Sequence, residues 1–407
     1  MKTLVMWAVC AAALAALPAA AAADPRGFAM GGTDAAVAHG ADAVPWNAAL
    51  LGLPDAPGFS ARLFQAGARA DNNSFDLDQY RRLNGATWGD AQKSEILGSV
   101  PAGGLQLQAQ AAGGTGISLG RFGIYAGGLG AGDGSFSRDG VDIALYGDAL
   151  DRTYQVTGSG GRAYAAARLV AGFAIPLRQS PEGSSAVGLE VALERGLRWE
   201  EASTEVGTFE ATLDTAQALG DFRLREGTHG TGVSLGVGYA YLTSAGARFS
   251  LAVRDLWNQT RWTGTDRRYH LSGSHGVHGT QNLDSLFSST EDPALPADFT
   301  TRRAPVASLG LEQAGGSTTI SLLLEKGLGE SPGVSKQVRT ALGLEWSGFG
   351  PLQLRGGVSL GGGQGTWFSG GVGARVGPWR LDAAVASRGL SYGTRGVGVA
   401  VGSSLGL

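Results

Sequence analysis

The chain has 407 residues, a formal net charge of −3 and a single cysteine. A charge this close to neutral provides no electrostatic footprint for nucleic acid, and one cysteine excludes an internal disulfide. Glycine is unusually frequent, with 68 residues, whereas proline is limited to 14 and 43% of the residues are hydrophobic. This composition excludes collagen and disordered low-complexity chains, and it is typical of a β-protein with a lipid-facing surface.

The first 23 residues are organised as a secretory signal peptide. Lys2 supplies the positive start, residues 4–17 form the apolar core, and Ala23 ends a small-residue cleavage site. The core is too short to span a bilayer as a helix. Cys10 lies within it and lacks the small preceding residue of a lipidation site. We therefore expect cleavage near Ala23 and a mature chain without cysteine.

The first half of the mature chain gives irregular signals. Residues 24–57 are small, rich in alanine and glycine, and precede the first strand signal. Short alternating runs predict strands at residues 58–69, 103–111, 115–127 and 162–176. Residues 71–100 and 133–150 separate them and have a helical or irregular pattern.

From about residue 184 onward, the chain alternates with a period of two. In the last segment Val397, Val399 and Val401 lie on one face, and Gly398 and Ala400 on the other. Such segments run for roughly 9–12 residues, the length that a tilted strand needs to cross a bilayer, whereas soluble strands average about 5–6. A soluble β-sandwich also alternates and is the competing interpretation.

Connection lengths favour the membrane barrel, because outer-membrane barrels have short periplasmic turns and longer extracellular loops. If the final strand descends to the periplasm, the outer connections are residues 388–395, 361–365, 327–336 and 257–300. The inner connections are then residues 377–378, 347–351, 314–316 and 243–246. The sequence therefore predicts an all-β fold, a transmembrane antiparallel β-barrel of about 14 strands (roughly 12–16) over residues 58–407, with residues 257–300 as a long extracellular loop.

Tryptophans lie near predicted strand ends, where such barrels carry aromatic girdles. These residues are Trp199, Trp257, Trp346, Trp367 and Trp379. A barrel of about 14 strands is wider than its own side chains can fill, so residues 24–57 are predicted to fold into the lumen as a hatch.

The inward faces carry charges of both signs. They are Arg248, Arg254, Arg339, Arg355, Arg375, Arg380, Glu190, Glu194, Glu312, Glu325, Glu345 and Asp382. Because unpaired charges in a narrow space are costly, we expect ion pairs across the lumen or to the hatch. A plugged barrel fits this pattern better than an open porin.

The stretch that begins M-G-G and continues A-V-A…A-D-A-V-P-W-N resembles the N-terminal motif of outer-membrane barrels related to the long-chain fatty-acid transporters and the type IX secretion shuttle barrels. RRLNGATWGDAQKSEILGSVP, VRDLWNQTRW and RGGVSLGGG are similar to an uncharacterised branch. The family has proline after W-N, where this chain has Ala48. The resemblance implies hatch roles for Gly31, Gly32, Trp46 and Asn47.

Histidines suggest two further sites. His270, His275 and His278 form a cluster that, with Asp266 or Asp284, is a weak candidate for a divalent metal site. His229, His270 and Asp266 are the candidates for an outer-membrane hydrolase. The competing interpretation for both is a solvated loop, and we expect no cofactor, no metal and no enzymatic activity.

Two functions remain in competition. One is passive transport of a small hydrophobic molecule, by hatch movement or through a lateral gap between strands. The other is a protein-binding or scaffold barrel that handles an exported protein. Both place the chain in the bacterial outer membrane, with its lipid as a partner and without nucleic acid.

Overall fold

The structure is a computed structural model that describes residues 24–147, 149, 151–212, 215–276, 288–390 and 393–406. The predicted signal peptide lies outside the described residues. The strands are β1 (Phe59–Asn72), β2 (Leu105–Leu119), β3 (Phe122–Phe136), β4 (Arg152–Gln155), β5 (Gly160–Ser180), β6 (Gly183–Ala211), β7 (Thr215–Thr243), β8 (Ala247–Gly276), β9 (Ser288–Glu291), β10 (Leu295–Pro296), β11 (Phe299–Thr301), β12 (Val306–Gly315), β13 (Thr318–Gly327), β14 (Arg339–Phe349), β15 (Leu352–Gly361), β16 (Trp367–Val376), β17 (Trp379–Arg388) and β18 (Gly396–Gly406).

The described helices are short. They are α1 (Pro25–Ala29), α2 (Asp34–Val37), α3 (Leu77–Leu83), α4 (Asp90–Ser99), α5 (Arg138–Tyr146) and the 3₁₀ helices Gly40–Ala43 and Ala48–Gly52. Within the described ranges, none of them has the length and apolar character that a membrane-spanning helix requires.

Fourteen strands close into an antiparallel barrel, as predicted. Each pairs with its neighbour along the chain, and β1 closes the ring by pairing with β18 from Ser60↔Gly406 to Asp71↔Gly396. The four remaining strands, β4 and β9–β11, are short and attach to the upper parts of β6 and β8.

Alternation along each strand separates a lipid-facing surface from the lumen. On β6, Leu189 and Leu193 are 53% and 57% exposed, whereas Glu190, Ala192 and Glu194 are buried. This is the arrangement expected where apolar side chains meet lipid and polar ones face the interior. Of the girdle tryptophans, Trp346 and Trp379 are half-exposed close to the periplasmic ends of β14 and β17.

Strands β6, β7 and β8 are 29, 29 and 30 residues long, far beyond the 9–11 or so that cross a bilayer. Most of their length therefore projects into the extracellular space. The prediction of a loop over residues 257–300 is wrong for its described part, because β8 continues to Gly276 and β9–β11 pair back onto it. A strand outside the membrane needs no apolar face. The alternation of apolar and polar residues that marks the lipid-facing strands is therefore absent from these parts of the sequence.

The predicted boundary between the second and third strands is also wrong. A single strand, β2, runs through residues 105–119, and the turn to β3 lies at Gly120 and Arg121. The predicted gap at residues 112–114 lies within β2. In a wall that is paired on both sides, these residues remain in the hydrogen-bonded ladder.

Irregularities in β6 and β7 turn Trp199 inward. The register shifts opposite Leu197 in the β5–β6 pair, and again beside His229, which has a φ of 52°. Such bulges exchange the two faces of a strand. Trp199 is consequently buried against Tyr164 and Trp262 rather than in a girdle, and Trp367 is buried as well. The girdle interpretation is wrong for these two tryptophans.

Candidate functional site: a sealed hatch and two cavities

Residues 24–57, here called the hatch, lie inside the lower part of the barrel. The α1 helix packs on β15–β18, α2 on β8, β12 and β13, and the two 3₁₀ helices on β1–β3 and β5–β7. The hatch therefore touches the wall on every side. Glycines on the inner face make this possible: a Cβ on Gly357 would lie 2.2 Å from the backbone nitrogen of Gly31, and one on Gly188 would lie 2.1 Å from that of Ala49.

Buried ion pairs hold the hatch to the wall. Arg26 of α1 donates to Glu345 of β14 at 3.0 Å and to Glu312 of β12 at 2.9 Å. Arg62 of β1 donates to Asp24 at 3.0 Å and to Asp42 at 2.6 Å. Each charged side chain thus meets opposite charge, as burial requires.

A third contact point lies around Arg248 of β8. Its guanidinium pairs with Asp55 of the hatch and with Glu312, and lies 2.7 Å from Nε2 of His39. Hatch and wall thus form one polar network, and the prediction that lumen charges pair with a plug describes this network well.

The four hatch residues named from the family motif occupy different positions. Gly31 and Gly32 have φ values of 82° and 77°, which favour glycine, and they reverse the chain after α1. Their carbonyls accept from Arg339 at 3.2 and 2.9 Å. Asn47 is buried and its amide donates to the carbonyls of Tyr239 and Leu251 on two adjacent strands. The guanidinium of Arg254 lies over the indole of Trp46, 4.3 Å from the centre of the indole ring.

The other predicted lumen charges form three groups. Arg355 pairs with Glu345 and Asp382, both at 2.7 Å. Arg254 and Arg339 share Glu325. Glu190 and Glu194 pair with Arg168, and Glu194 also with Arg303. Arg380 forms no salt bridge with any described residue, and Arg375 is exposed.

A chamber of about 280 Å³ lies directly above the hatch, and we call it the lumen chamber. Its floor is formed by hatch residues, including Asp34 and Trp46. Its roof includes the turn Ser331–Val334, where the Gly333 carbonyl accepts from Gln110 of β2 at 3.2 Å. Arg69 of β1 holds Gln110 from the side at 2.7 Å. The hatch therefore closes the chamber from below, and the turn covers part of it from above.

A larger, apolar cavity of about 860 Å³, the outer groove, lies beneath α3 and α4. The helices contribute Leu77, Tyr80, Leu83 and Ile96, with Trp88 between them. The wall contributes mostly small and apolar residues of β1, β2, β3, β5, β6, β7 and β18: Ala70, Leu107, Ala109, Gly132, Gly134, Ala163, Ala202, Leu224 and Val397.

The outer groove lies on the outer face of the wall, back to back with the lumen chamber. Ala70, Ala109, Gly132 and Ala163 line the groove, while the residues next to them on the same strands, Arg69, Gln110, Ala131 and Tyr164, line the chamber. Neighbours on a strand point to opposite faces. One layer of backbone with small outward side chains therefore separates the two cavities.

Charges at the edge of the groove are neutralised in place. Arg162 binds both carboxylate oxygens of Asp133, and Arg198 binds Glu200 and Glu226. These cations are therefore already compensated. The groove begins where Leu197, 47% exposed, ends the lipid-facing row of β6, so it lies at the extracellular edge of the apolar belt.

The pair α3 and α4, here called the helical hairpin, is held together by Arg82. This side chain donates to Asp78 on its own helix and to Glu95 on α4, the latter at 2.6 Å. The hydrogen bond from Arg82 keeps the pKa of the Glu95 carboxyl below its usual range. The hairpin is the helical insertion expected within residues 71–100.

The histidine candidates do not form the predicted sites in the described structure. His270 places its two ring nitrogens against Asp221 and Asp292, so neither is available to activate a hydroxyl nucleophile. Asp266 pairs with Arg223. The side chain of His275, all of His278 and Asp284 lie outside the described residues, and the residues that the structure does describe contain no group of three potential metal ligands.

No protein-family model and no curated protein matches this sequence. Solved structures do match, along almost the whole chain. The Ralstonia pickettii toluene transporter TbuX has a TM-score of 0.54 and 14% identity, over 94% of this chain and 98% of its own. The Pseudomonas putida toluene transporter TodX has a TM-score of 0.50 and 10% identity, over 94% of this chain and 98% of its own. A Pseudomonas aeruginosa FadL homologue has a TM-score of 0.51 and 11% identity, over 96% of this chain and 99% of its own.

The fold is that of a FadL-type barrel. The resemblance inferred from the N-terminal motif is thereby confirmed at the level of the fold. Sequence reasoning nevertheless missed Arg26, Arg62 and Asp42, which hold the hatch, because nothing in the sequence indicates which residues of the hatch and the wall will meet. It also missed the outer groove, whose wall residues are spread over seven strands.

Proposed function

We propose that the protein is an outer-membrane transporter that passes small hydrophobic molecules from the extracellular edge of the bilayer toward the periplasm. The outer groove carries this proposal: it is apolar, large enough for a ligand, and separated from the chamber above the hatch by a single layer of wall. The resemblance to barrels described as toluene transporters supports it. Transport would be passive, without cofactor and without enzymatic chemistry.

Transport requires the hatch to move, because it fills the lumen below the chamber. The side chains of Thr33 on the hatch and Ser321 on β13 offer a test, since their hydroxyl oxygens lie 2.9 Å apart. Cysteines at both positions would link the hatch to the wall under oxidation. The chain's one cysteine, Cys10, lies in the predicted signal peptide, so the predicted mature chain offers no competing thiol.

The measurement is uptake of the fluorescent probe N-phenyl-1-naphthylamine by Gram-negative cells that lack other barrels of this fold. We expect uptake with the wild type, loss with oxidised T33C/S321C, and recovery after reduction. Each single-cysteine variant is the control and should behave as wild type. Equal uptake with and without the protein would contradict the proposal, and uptake through the oxidised variant would exclude a moving hatch.

A second candidate, a protein-binding barrel, is favoured by the extracellular sheet of β4, β6–β9, which extends far beyond the apolar belt. Shortening the β6–β7 hairpin by residues 203–223 tests it. If the hairpin binds an exported protein, cross-linking in the native membrane should capture that protein with the full-length chain only. Loss of probe uptake in the same variant would instead assign the sheet to transport.

A further inference from the structure

The lumen chamber contains several unpaired polar groups. Among the described residues, no hydrogen-bond partner exists for Asp34 Oδ1, Trp46 Nε1 or Arg254 Nε, although all three atoms are buried. All three residues line the chamber, and Asp34 is only 6% exposed. Buried polar groups are normally paired, so a group of them around one cavity points to a ligand that pairs with them.

Arg69 adds an uncompensated cation to the same wall. Its guanidinium donates to the Gln110 side-chain oxygen and lies 5.9 Å from the Trp367 ring centre, but no described carboxylate is within 4.0 Å of it. Other arginines that line the chamber, such as Arg168 and Arg339, each pair with an acid. The described residues that line the chamber thus offer donors in excess, together with the unpaired carboxylate oxygen of Asp34.

The outer groove has the opposite character. Its hairpin side is formed by aliphatic and aromatic side chains, and the indole nitrogen of Trp88 already donates to the carbonyl of Leu83. A plain hydrocarbon bound in the groove therefore leaves no polar group of these hairpin side chains without its hydrogen bond. In the chamber it would leave the donors and the Asp34 oxygen unpaired, which is unfavourable for buried groups.

We propose that the lumen chamber is a polar filter that admits hydrophobic molecules carrying a hydroxyl or similar oxygen and rejects plain hydrocarbons. A hydroxyl suits both kinds of group, because it can donate to an acceptor such as the Asp34 carboxylate and accept from a donor such as the Arg69 guanidinium. This inference rests on the proposed transport function and specifies its substrate class. It separates this chain from what the titles of the toluene transporters state for those proteins.

The test uses two photoreactive probes, decane and 1-decanol with the same internal diazirine, added to the full mature protein in lipid nanodiscs. After illumination, adducts are mapped by peptide mass spectrometry to the helical hairpin (residues 77–99) or to the hatch (residues 24–57). We expect both probes to label the hairpin. On the hatch, we expect 1-decanol to exceed decane by about tenfold or more, as for the loss of a buried hydrogen bond.

Equal labelling of the hatch by both probes would overturn the filter and leave the transport proposal standing, as would 1-decanol labelling confined to the hairpin. Absence of labelling at either place would contradict both proposals.

Trp46→Phe removes one donor while keeping an aromatic ring, and should reduce hatch labelling by 1-decanol several-fold without changing hairpin labelling. Trp379→Phe is the matched control, because its indole donates to Ser403 near the periplasmic edge. Unchanged hatch labelling in Trp46→Phe together with Arg69→Met would also overturn the proposal.

Discussion

Gly357 of β15 has the backbone of Gly31 where its own side chain would be, 2.2 Å from the Cβ position. Gly356, its neighbour, faces the other side, and a Cβ there would come no closer than 4.0 Å to any other atom outside its chain neighbours. We expect Gly357→Ala to displace α1 and make the hatch sensitive to added protease in detergent. Gly356→Ala should leave it as resistant as the wild type. Equal resistance of both variants would show that the hatch does not depend on this contact.

Arg26 of the hatch forms ion pairs with two wall residues, Glu312 and Glu345. Removing one partner from a buried ion-pair network costs about 3–5 kcal/mol, since the remaining charges lose compensation. In Arg26→Met, Glu345 keeps Arg355 and Glu312 keeps Arg248, so we expect the lower end, about 3 kcal/mol of hatch docking energy. Hydrogen exchange of the amides of residues 24–43 measures it. Arg82→Met, which removes an exposed pair on the hairpin, should leave those amides unchanged.

For single residues, the sequence predicts which face of a strand a side chain occupies wherever apolar and polar residues alternate without interruption. Glu345 and Arg355 lie on regular strands, so their inward direction could be predicted from their neighbours. Trp199 could not be placed, because a bulge exchanges the faces of β6 just before it, and no residue pattern marks that bulge. The partners of Arg26 could not be predicted either, since they lie more than 280 residues away in the chain.

Among the elements, the helical hairpin depends on pH through Glu95. Its pKa is lowered in the folded chain, so the contact with Arg82 stabilises the hairpin above the ordinary value of 4.5 and is lost as the pH falls through the lowered value. We expect hydrogen exchange in α4, corrected for intrinsic rates, to accelerate on acidification below 4.5. Glu95→Gln should show the faster exchange already at neutral pH and respond little to acid. A wild-type hairpin that is unaffected by acid would contradict this role.

The long strands β6–β8 mark the limit of element prediction. Their lower parts follow the lipid-facing alternation and were recognisable, whereas the upper parts pair in water and carry charges on both faces, such as Glu200 and Glu201. A water-exposed strand imposes no strict pattern on its side chains, so the sequence of residues 257–276 was interpreted as loop.

For the whole molecule, we predict that the hatch decides whether the lumen conducts. Deleting residues 27–53 removes most of the contacts that fill the lower barrel, and we expect single-channel conductance in planar bilayers to rise well above that of the wild type. The outward variant Gly356→Ala serves as the control for barrel integrity. Unchanged conductance after the deletion would mean that other parts of the chain, such as the turn Ser331–Val334, seal the lumen alone.

The last hatch helix, which ends at Gly52, is joined to β1 by residues 53–58, so the hatch stays attached when its ion pairs open. A short tether keeps a released segment at an effective concentration in the millimolar range relative to its own docking site, and rebinding becomes an intramolecular event. Under the proposed transport function, a passing molecule would need to break the hatch contacts only for its own transit. The hatch would then dock again without any input of energy.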